Sequence, residues 1–298
     1  MVSKDNFYGS QKKSALIVEG GGMRGIFAAG ILHAFGNKGF DPFDLYIGVS
    51  AGACHLASHL AGQNSRNFDI TLRYSLSRQF INPWRFLKGG HLMDLDWMWE
   101  QTIKNYRLDL KQIEEKLQTQ KKDYLIVATS METGGPLYLH PDINTLEHYL
   151  KVSSSLPILY RKEMDVKGEK ATDGGISDSI PVREALRRGA TDITVIRSRS
   201  AGYVKKESPI VLAVFSWYFR KYPRLIEAFR QRADRYNAAV AFINNPPSGV
   251  CIAQLAPPDA LEIGRTTKNE ATLRKAYKAG IDYGNRFIEH SVPFGHNK

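Results

Sequence analysis

Apolar and polar positions along the chain predict strands that alternate with helices. Apolar runs of strand length cover Leu16–Glu19, Leu45–Val49, Tyr124–Thr129, Thr191–Ile196 and Cys251–Leu255. Helical spacing of apolar positions covers Arg24–Gly36, Ala51–Ala61, Ile143–Val152, Val182–Arg188 and Thr266–His290. Strands that alternate with helices along a chain indicate a parallel sheet covered on both faces. We therefore predict a three-layer α/β/α fold with a mostly parallel central sheet.

Two further segments add to this pattern. Gly134–His140 follows a buried strand closely and is predicted to be its hairpin partner. Pro209–Asn244 is predicted to be helical and mixes aromatic with basic residues. It contains Phe215, Trp217, Tyr218, Phe219, Tyr222 and Phe229 together with Arg220, Lys221, Arg224, Arg230, Arg232 and Arg235. This segment is either a cap with a solvated basic face or an interfacial surface that contacts lipid or covers an apolar cleft.

Composition and charge restrict the class of protein. The chain has 298 residues, 43% hydrophobic and 24% charged, which is ordinary for a soluble globular protein. Its net charge of +11 favours anionic partners such as nucleic acid, anionic lipid or acidic substrates. No zinc-finger spacing or RNA-binding aromatic signature is present, so no nucleic-acid partner is expected.

Sequence features also predict a compartment. Residues 1–21 contain only a five-residue apolar run, shorter than a secretory signal needs. No stretch approaches the roughly 18 apolar residues of a membrane span. Cys54 and Cys251 lie far apart in apolar segments and are predicted to be buried free thiols. These features predict a cytoplasmic protein.

The first candidate site is a glycine-rich turn after the first strand. Its glycines at positions 20, 22 and 25 fit the G-x-G-x-x-G pattern of dinucleotide-binding proteins. The same backbone, free of side chains at a helix N-terminus, suits a reaction oxyanion equally well. Taken alone, the glycines leave both interpretations open.

A second motif favours the oxyanion. Gly48–Gly52 has the form G-x-S-x-G between an apolar strand and a helix, which is the setting of a nucleophile elbow at Ser50. A serine nucleophile needs N–H donors on a neighbouring turn, and the glycine-rich turn supplies them. A dinucleotide site needs an acidic residue at the end of the second strand. Asp41 and Asp44 precede that strand instead.

The base that would activate this serine is less evident from the residues. Eight histidines occur, of which His140 is a fair candidate, whereas His55 and His59 are expected to be packing or surface residues. A carboxylate in a dry site is the alternative. Asp173, followed by two glycines, can point into a site from a tight turn.

Four blocks together resemble the patatin-like phospholipase family. The oxyanion block G-G-G-x-[RK]-G matches Gly20, Gly21, Gly22, Met23, Arg24 and Gly25, and the elbow matches Gly48, Ser50 and Gly52. A serine-rich block that ends in proline matches Ser153–Pro157, and the D-G-[GA] block matches Asp173, Gly174 and Gly175. Each block alone is weak, but the ordered set is specific. The chain most resembles the bacterial cytosolic members, which lack the secretion signals and extra domains of the toxins.

The resemblance implies hydrolysis of lipid or phospholipid esters, of the phospholipase A or lysophospholipase type. It implies a Ser50–Asp173 dyad without a catalytic histidine, with N–H groups near Gly21 and Gly22 holding the oxyanion. We expect no cofactor and no metal. Arg24 either positions the loop, meets a lipid phosphate or is a surface cation.

The expected organisation is a single domain over residues 1–298, with a catalytic core at 14–200 and a variable helical region at 205–298. Peripheral contact with an anionic membrane, at its inner surface, is a further expectation. Two other classes stay open at this point. One is a catalytically weak lipid-binding or regulatory protein on the same fold, and the other is a nicotinamide-dependent enzyme.

Overall fold

The computed structural model describes residues 13–291 as an eight-stranded sheet with helices on both faces. The strands are β1 (Lys13–Val18), β2 (Leu45–Val49), β3 (Asp123–Ser130), β4 (Pro136–Leu139), β5 (Met164–Val166), β6 (Glu169–Asp173), β7 (Ala190–Ile196) and β8 (Cys251–Leu255). The first six helices are α1 (Ile26–Asn37), α2 (Ala51–Leu60), α3 (Arg66–Ile70), α4 (Pro83–Leu87), α5 (Leu95–Asn105) and α6 (Leu110–Gln118). The remaining six are α7 (Leu146–Ser153), α8 (Val182–Arg187), α9 (Pro209–Tyr218), α10 (Pro223–Arg230), α11 (Arg232–Asn244) and α12 (Glu270–His290).

The sheet is mostly parallel. Its chain of strand pairings is β5-β6-β3-β2-β1-β7-β8, in which β6 and β2 pair with different stretches of the same edge of β3. The strands from β3 to β8 in this list run parallel to one another. The strands β4 and β6 pair antiparallel with β3, and β5 pairs antiparallel with β6. The hairpin predicted at Gly134–His140 is therefore confirmed.

Successive residues of the central strand point to two separate cores, which defines three layers. Leu16 and Val18 of β1 belong to the core shared with helices α1, α2 and α12. Ala15 and Ile17 belong to the core shared with α8 and α11. Because side chains alternate along a strand, helices must cover both faces of so apolar a strand. The predicted α/β/α architecture is confirmed.

Strand β3 brings two distant turns to the same point. Strand β4 pairs along one edge of β3. Strands β2 and β6 both pair along the opposite edge, β2 with the first part of β3 and β6 with its last residues. Val127 pairs with Val49, and the next residue, Ala128, pairs with Asp173. The turn after β2, which begins at Ser50, therefore lies beside the turn after β6.

Three helices begin later than the apolar spacing predicts: α1 begins at Ile26 and not at Arg24, and the other two differ by more. The final helix begins at Glu270 and not at Thr266, because the Asn269 side chain accepts a first-turn backbone N–H at 2.9 Å and caps it there. The helix predicted from Ile143 begins at Leu146, since the three residues before it form a turn.

The segment Pro209–Asn244 consists of three helices. Pro223 occupies the first turn of α10, where a missing N–H costs nothing, and the chain turns just before it. Phe215, Phe219 and Phe229 are buried together in a small core of their own. The rings of these three residues therefore belong to a packed cap and are not available to a lipid surface.

Both cysteines are free thiols, as predicted, but the prediction that they are buried is wrong. Cys54 is half-buried, and Cys251 is exposed because it begins β8, the edge strand of the sheet. Among residues 13–291 we find no helix whose length and apolar character would let it cross a bilayer. The prediction about a secretory signal mainly concerns residues 1–12, which lie outside the described part of the chain.

Candidate active site

Ser50 lies in a strained turn between β2 and α2. Its φ of 53° and ψ of −126° are rare for a residue with a Cβ and mark the sharp reversal of an elbow. The flanking glycines are required by close packing. A Cβ at Gly48 would collide with the Ala53 backbone, and one at Gly52 would collide with the Val18 carbonyl oxygen. The local sequence thus folds into a turn that presents the Ser50 side chain at the carboxyl edge of the sheet.

The serine-rich block supports both turns. The Ser50 backbone N–H donates to Ser153 Oγ at 2.8 Å, and Ser153 Oγ donates to the Val127 carbonyl at 2.6 Å. Two residues on, the Ser155 carbonyl accepts the backbone N–H of Asp173 at 3.2 Å. One short segment therefore fixes the elbow and the aspartate turn relative to each other.

Asp173 is a buried carboxylate with one unused oxygen. Only 2% of the residue is exposed, and Oδ1 accepts the Gly175 N–H at 2.8 Å. Among the described residues, Oδ2 has no hydrogen-bond partner. Burial raises the pKa of Asp173, while the nearby Ser50 hydroxyl and the Arg232 guanidinium offset part of this rise. An oxygen of this kind is suited to accept a proton.

The glycine-rich turn packs directly against the elbow. A Cβ at Gly20 would lie 2.9 Å from the Ser50 Cβ, and one at Gly25 would lie 2.5 Å from His55 Nε2. The two turns follow β1 and β2, which are parallel neighbours, so they meet at the same edge of the sheet. Gly174 in the aspartate turn is packed equally tightly against the β3 backbone.

Backbone N–H groups in the glycine-rich turn differ in availability. The Met23 N–H donates to the Arg265 carbonyl at 3.1 Å, and the Arg24 N–H donates to the Gly21 carbonyl at 3.3 Å. Within residues 13–291, the N–H groups of Gly21 and Gly22 have no protein acceptor. These two are therefore free donors in the turn that packs against the elbow.

Arg24 is not a surface cation. Its exposed fraction is 8%, and Nε has no hydrogen-bond partner among the described residues. Burial, with the nearby charges of Arg199 and Arg265, lowers the pKa of Arg24 to about 10. The side chain faces a polar recess that Ser50 also lines.

Two cavities of opposite character meet at Ser50. The first is apolar and is formed largely by the region from α3 to α6. Its apolar walls include Phe80, Met93, Leu95, Met98, Ile103 and Leu108. The second is the polar recess, which Asp173 also lines and in which arginines predominate. An ester with an apolar chain on one side and a polar group on the other matches this arrangement.

The histidines contribute differently from one another. His55 and His59 are buried packing residues on α2, and burial lowers the pKa of His55 to about 4. His55 lines the apolar cavity, where it is neutral at pH 7. His140 pairs with Arg188 at 3.1 Å and does not line either cavity that contains Ser50.

Sequence reasoning missed three contributors to this region. Arg265 lines both cavities and anchors the glycine-rich turn, although it lies far outside the four motif blocks. Arg232 Nε donates to the Gly175 carbonyl at 2.6 Å and supports the aspartate turn. Helices α3 and α5, with the loop residues Phe80, Met93 and Leu108, form much of the apolar walls. The basic character of the 209–244 segment was the available signal for Arg232, and no local signal marks Arg265.

Comparison with known proteins defines the class to which this fold and site belong. Residues 16–186 match the family model described as patatin-like phospholipase. The chain belongs to the patatin-like phospholipase family. Residues 222–294 match a second model, described as a domain of unknown function, DUF6363.

The similar proteins differ in length and extent of match. The uncharacterized protein YjjU of Escherichia coli is 33% identical over 283 residues, which is 92% of this chain and 76% of YjjU. Lysophospholipase NTE1 of Kluyveromyces lactis is 25% identical over 92% of this chain, which spans only 19% of that protein. The crystal structure of VipD from Legionella pneumophila superimposes with a TM-score of 0.47 and 14% identity over 94% of this chain and 67% of VipD.

Proposed function

We propose that this protein is a serine acyl hydrolase for lipid esters, with Ser50 as nucleophile and Asp173 as base. The observation that carries the proposal is the free Oδ2 of a buried Asp173 beside a strained Ser50, where an apolar cavity meets a polar recess. Membership of a phospholipase family and similarity to a lysophospholipase support the same chemistry. No histidine is assigned a part in the reaction.

We propose the following reaction for these groups. Ser50 Oγ attacks the ester carbonyl carbon as its proton passes to Asp173, and the N–H groups of Gly21 and Gly22 stabilise the oxyanion. The intermediate collapses, the alcohol leaves with the proton from Asp173, and an acyl-enzyme remains. Water then gives a proton to Asp173 and attacks the acyl carbon, which releases the fatty acid and restores Ser50.

We assign the acyl chain to the apolar cavity. Leu95, Met98 and Ile103 of α5 contribute apolar side chains to its wall, and Ser50 also lines it. Burying an acyl chain contributes about 0.8 kcal/mol for each CH₂ group. Because methionine adapts its shape readily, the cavity suits flexible chains better than a rigid acyl group.

We also keep the proposal of one domain over residues 1–298, with a catalytic core at 14–200. Two contacts support it. Strand β8 from the region after residue 205 pairs with β7, and helix α12 packs along α1. Arg265 from the same region anchors the glycine-rich turn.

Labelling with a fluorophosphonate tests the proposed activity directly. The reagent is expected to form one covalent adduct, on Ser50, because only an activated serine attacks it at a useful rate. Intact-protein mass spectrometry with peptide mapping measures the site. Ser50→Ala is expected to abolish labelling, while the control Ser200→Ala retains it.

An unlabelled protein that still binds lipid vesicles would contradict the hydrolase proposal. That result would favour the alternative of a catalytically weak lipid-binding or regulatory protein on the same fold.

Helix α9 offers a surface for contact with a membrane. Its exposed apolar side chains are Ile210, Val211, Val214, Trp217 and Tyr218. Ile210 is 77% and Trp217 69% exposed, so this face is not covered by the rest of the described chain. Three exposed cations, Arg220, Lys221 and Arg224, follow directly. We propose that this face inserts at an anionic lipid surface, with the cations at the headgroups.

Reversing the three cations is expected to weaken binding to anionic vesicles. The variant is Arg220→Glu, Lys221→Glu and Arg224→Glu combined. Each cation near an anionic surface contributes about 1 kcal/mol, so the loss should exceed about 100-fold at low salt and shrink as salt is added. Cosedimentation with vesicles containing phosphatidylglycerol measures it.

The matched control makes the same charge change on α12, with Lys275→Glu, Lys278→Glu and Arg286→Glu. These residues are also exposed. An equal loss in both triple variants would show a general charge effect and contradict the assigned surface, as would no loss in either.

A further inference from the structure

The polar recess beside Ser50 carries an unusual excess of positive charge. Five cationic side chains line it: Arg24, Arg199, Lys205, Arg232 and Arg265. They come from segments far apart in the sequence, and four of them lie outside the family's motif blocks. None of the five forms an ion pair with a carboxylate within residues 13–291.

The two carboxylates in the recess do not neutralise these cations. Glu19 accepts the Ser198 N–H at 2.8 Å and the Tyr236 hydroxyl at 3.2 Å, and its nearest cation is the fully buried Arg197, at 3.9 Å. Asp173 is the proposed base. Within residues 13–291, the five cations of the recess therefore have no carboxylate within ion-pair distance.

The cations also repel one another. Burial, followed by the charges of Arg232 and Arg265, lowers the pKa of Lys205 to about 7. Burial, followed by the charges of Arg199 and Arg265, likewise lowers the pKa of Arg24. A bound anion would relieve this repulsion, and charge-assisted hydrogen bonds to buried cations are strong.

Each of the two tyrosine rings of the recess is already in contact with a cation of the protein. The Arg199 guanidinium lies 4.3 Å from the Tyr203 ring centroid, and the Lys205 amine lies 4.9 Å from that of Tyr236. A quaternary ammonium headgroup is normally bound by open aromatic faces or by free carboxylates. Among the described residues lining the recess, both tyrosine rings face a cation, Glu19 already accepts two hydrogen bonds, and Asp173 is the proposed base.

We propose that the recess binds the phosphate group of the lipid substrate and selects anionic headgroups over those with a quaternary ammonium. This proposal rests on the proposed function, because it places the headgroup beside the ester that Ser50 attacks. A terminal phosphate monoester fits best, since it brings up to two negative charges and several acceptor oxygens. The apolar cavity would hold the acyl chain of the same molecule.

The test measures binding without catalysis. Ser50→Ala protein is titrated calorimetrically with monoacylglycerol phosphate and with monoacylglycerophosphocholine of the same acyl chain. The phosphate monoester is expected to bind at least about tenfold more tightly, as one charge-assisted contact provides. Adding Lys205→Gln is expected to remove most of this preference. Adding Lys206→Gln, an exposed neighbour outside the recess, should leave it unchanged.

A conservative variant separates charge from folding. Lys205→Arg keeps the cation and should keep the preference, whereas a purely structural role of Lys205 would be disturbed by both substitutions. Equal affinity for the two lipids, or equal loss in the Lys206→Gln control, would overturn the proposal.

A further arm distinguishes a lipid headgroup from free phosphate. Inorganic phosphate is expected to compete with the monoester only weakly, because it lacks the acyl chain. If inorganic phosphate binds as tightly as the lipid and Lys205→Gln abolishes only that binding, the recess is a free-phosphate site and the headgroup proposal fails. The proposed hydrolysis is judged separately by fluorophosphonate labelling, so the two failures are distinguishable.

Discussion

Replacing Ser50 by alanine is expected to lower kcat/KM for a lipid ester at least about 10³-fold, because no other group can form the acyl-enzyme. The fold should be retained, since the backbone N–H that donates to Ser153 Oγ is unchanged. A small residual rate is expected from the remaining oxyanion donors. Release of fatty acid from a purified phospholipid, followed by mass spectrometry, measures the loss.

Glycine at the same position gives a second, independent result. Both Ser50→Ala and Ser50→Gly should be inactive, but glycine adopts a positive φ without strain. We expect the free energy of unfolding of Ser50→Gly to exceed that of Ser50→Ala by about 1 kcal/mol. Denaturant titration measures the difference. Substantial activity in either variant would refute Ser50 as nucleophile.

Asp173→Asn is expected to be as inactive as Ser50→Ala, because an amide cannot accept the serine proton. The substitution preserves the turn, since the Asn oxygen can still accept the Gly175 N–H. The double variant should be little slower than either single one, because the two side chains act as a unit. The same fatty-acid assay applies.

The raised pKa of Asp173 gives this prediction a pH dependence. The base is active only when ionised, so activity should fall as pH drops through the raised pKa. The free energy of unfolding changes with pH in the opposite direction to activity. The folded state binds the proton more tightly than the unfolded chain, so wild-type stability declines as pH rises from the ordinary value of 3.8 through the raised one. At pH 7 Asp173→Asn should therefore be more stable than the wild type, which denaturant titration at pH 7 measures.

His140→Ala and His55→Ala serve as controls for the assignment of the base. Each should keep kcat within about tenfold of the wild type, less than the roughly 10²–10⁴-fold effect of losing a general base. A folded but inactive variant of either residue, or an active Asp173→Asn, would replace the dyad with another mechanism.

The sequence predicts those parts of the site whose position is set by a turn directly after a strand. The G-x-S-x-G turn and the glycine-rich turn each follow a short apolar strand, and strand direction alone places both at one edge of a parallel sheet. Asp173 is harder to place from sequence. Its position depends on β2 and β6 sharing one edge of β3, and strand order is not encoded in local periodicity.

Other features depend on contacts that local patterns do not reveal. The hydrogen bond between Ser50 and Ser153 spans 103 residues. The local sequence around either serine does not predict the other as its partner. The apolar cavity is lined in part by α3, which has 5 residues, by α5, which has 11, and by loop residues between and after them. Helix α3 is too short to show a clear helical period in the sequence. In the 209–244 segment the aromatic composition was evident, but which rings face inward depends on how three helices pack.

The contact between the Met23 N–H and the Arg265 carbonyl has a consequence for how the protein is made. The ribosome releases the N-terminal glycine-rich turn first, and Arg265 follows about 240 residues later. At about 5–20 residues per second, that interval is on the order of 12–50 s. After Ser50 and Asp173 have been synthesised, the nascent chain still lacks Arg265, the residue that anchors the glycine-rich turn. Under the proposed mechanism, a ribosome-bound chain that contains Ser50 and Asp173 but not yet Arg265 is therefore a weak esterase, and full activity begins only once Arg265 has joined the fold.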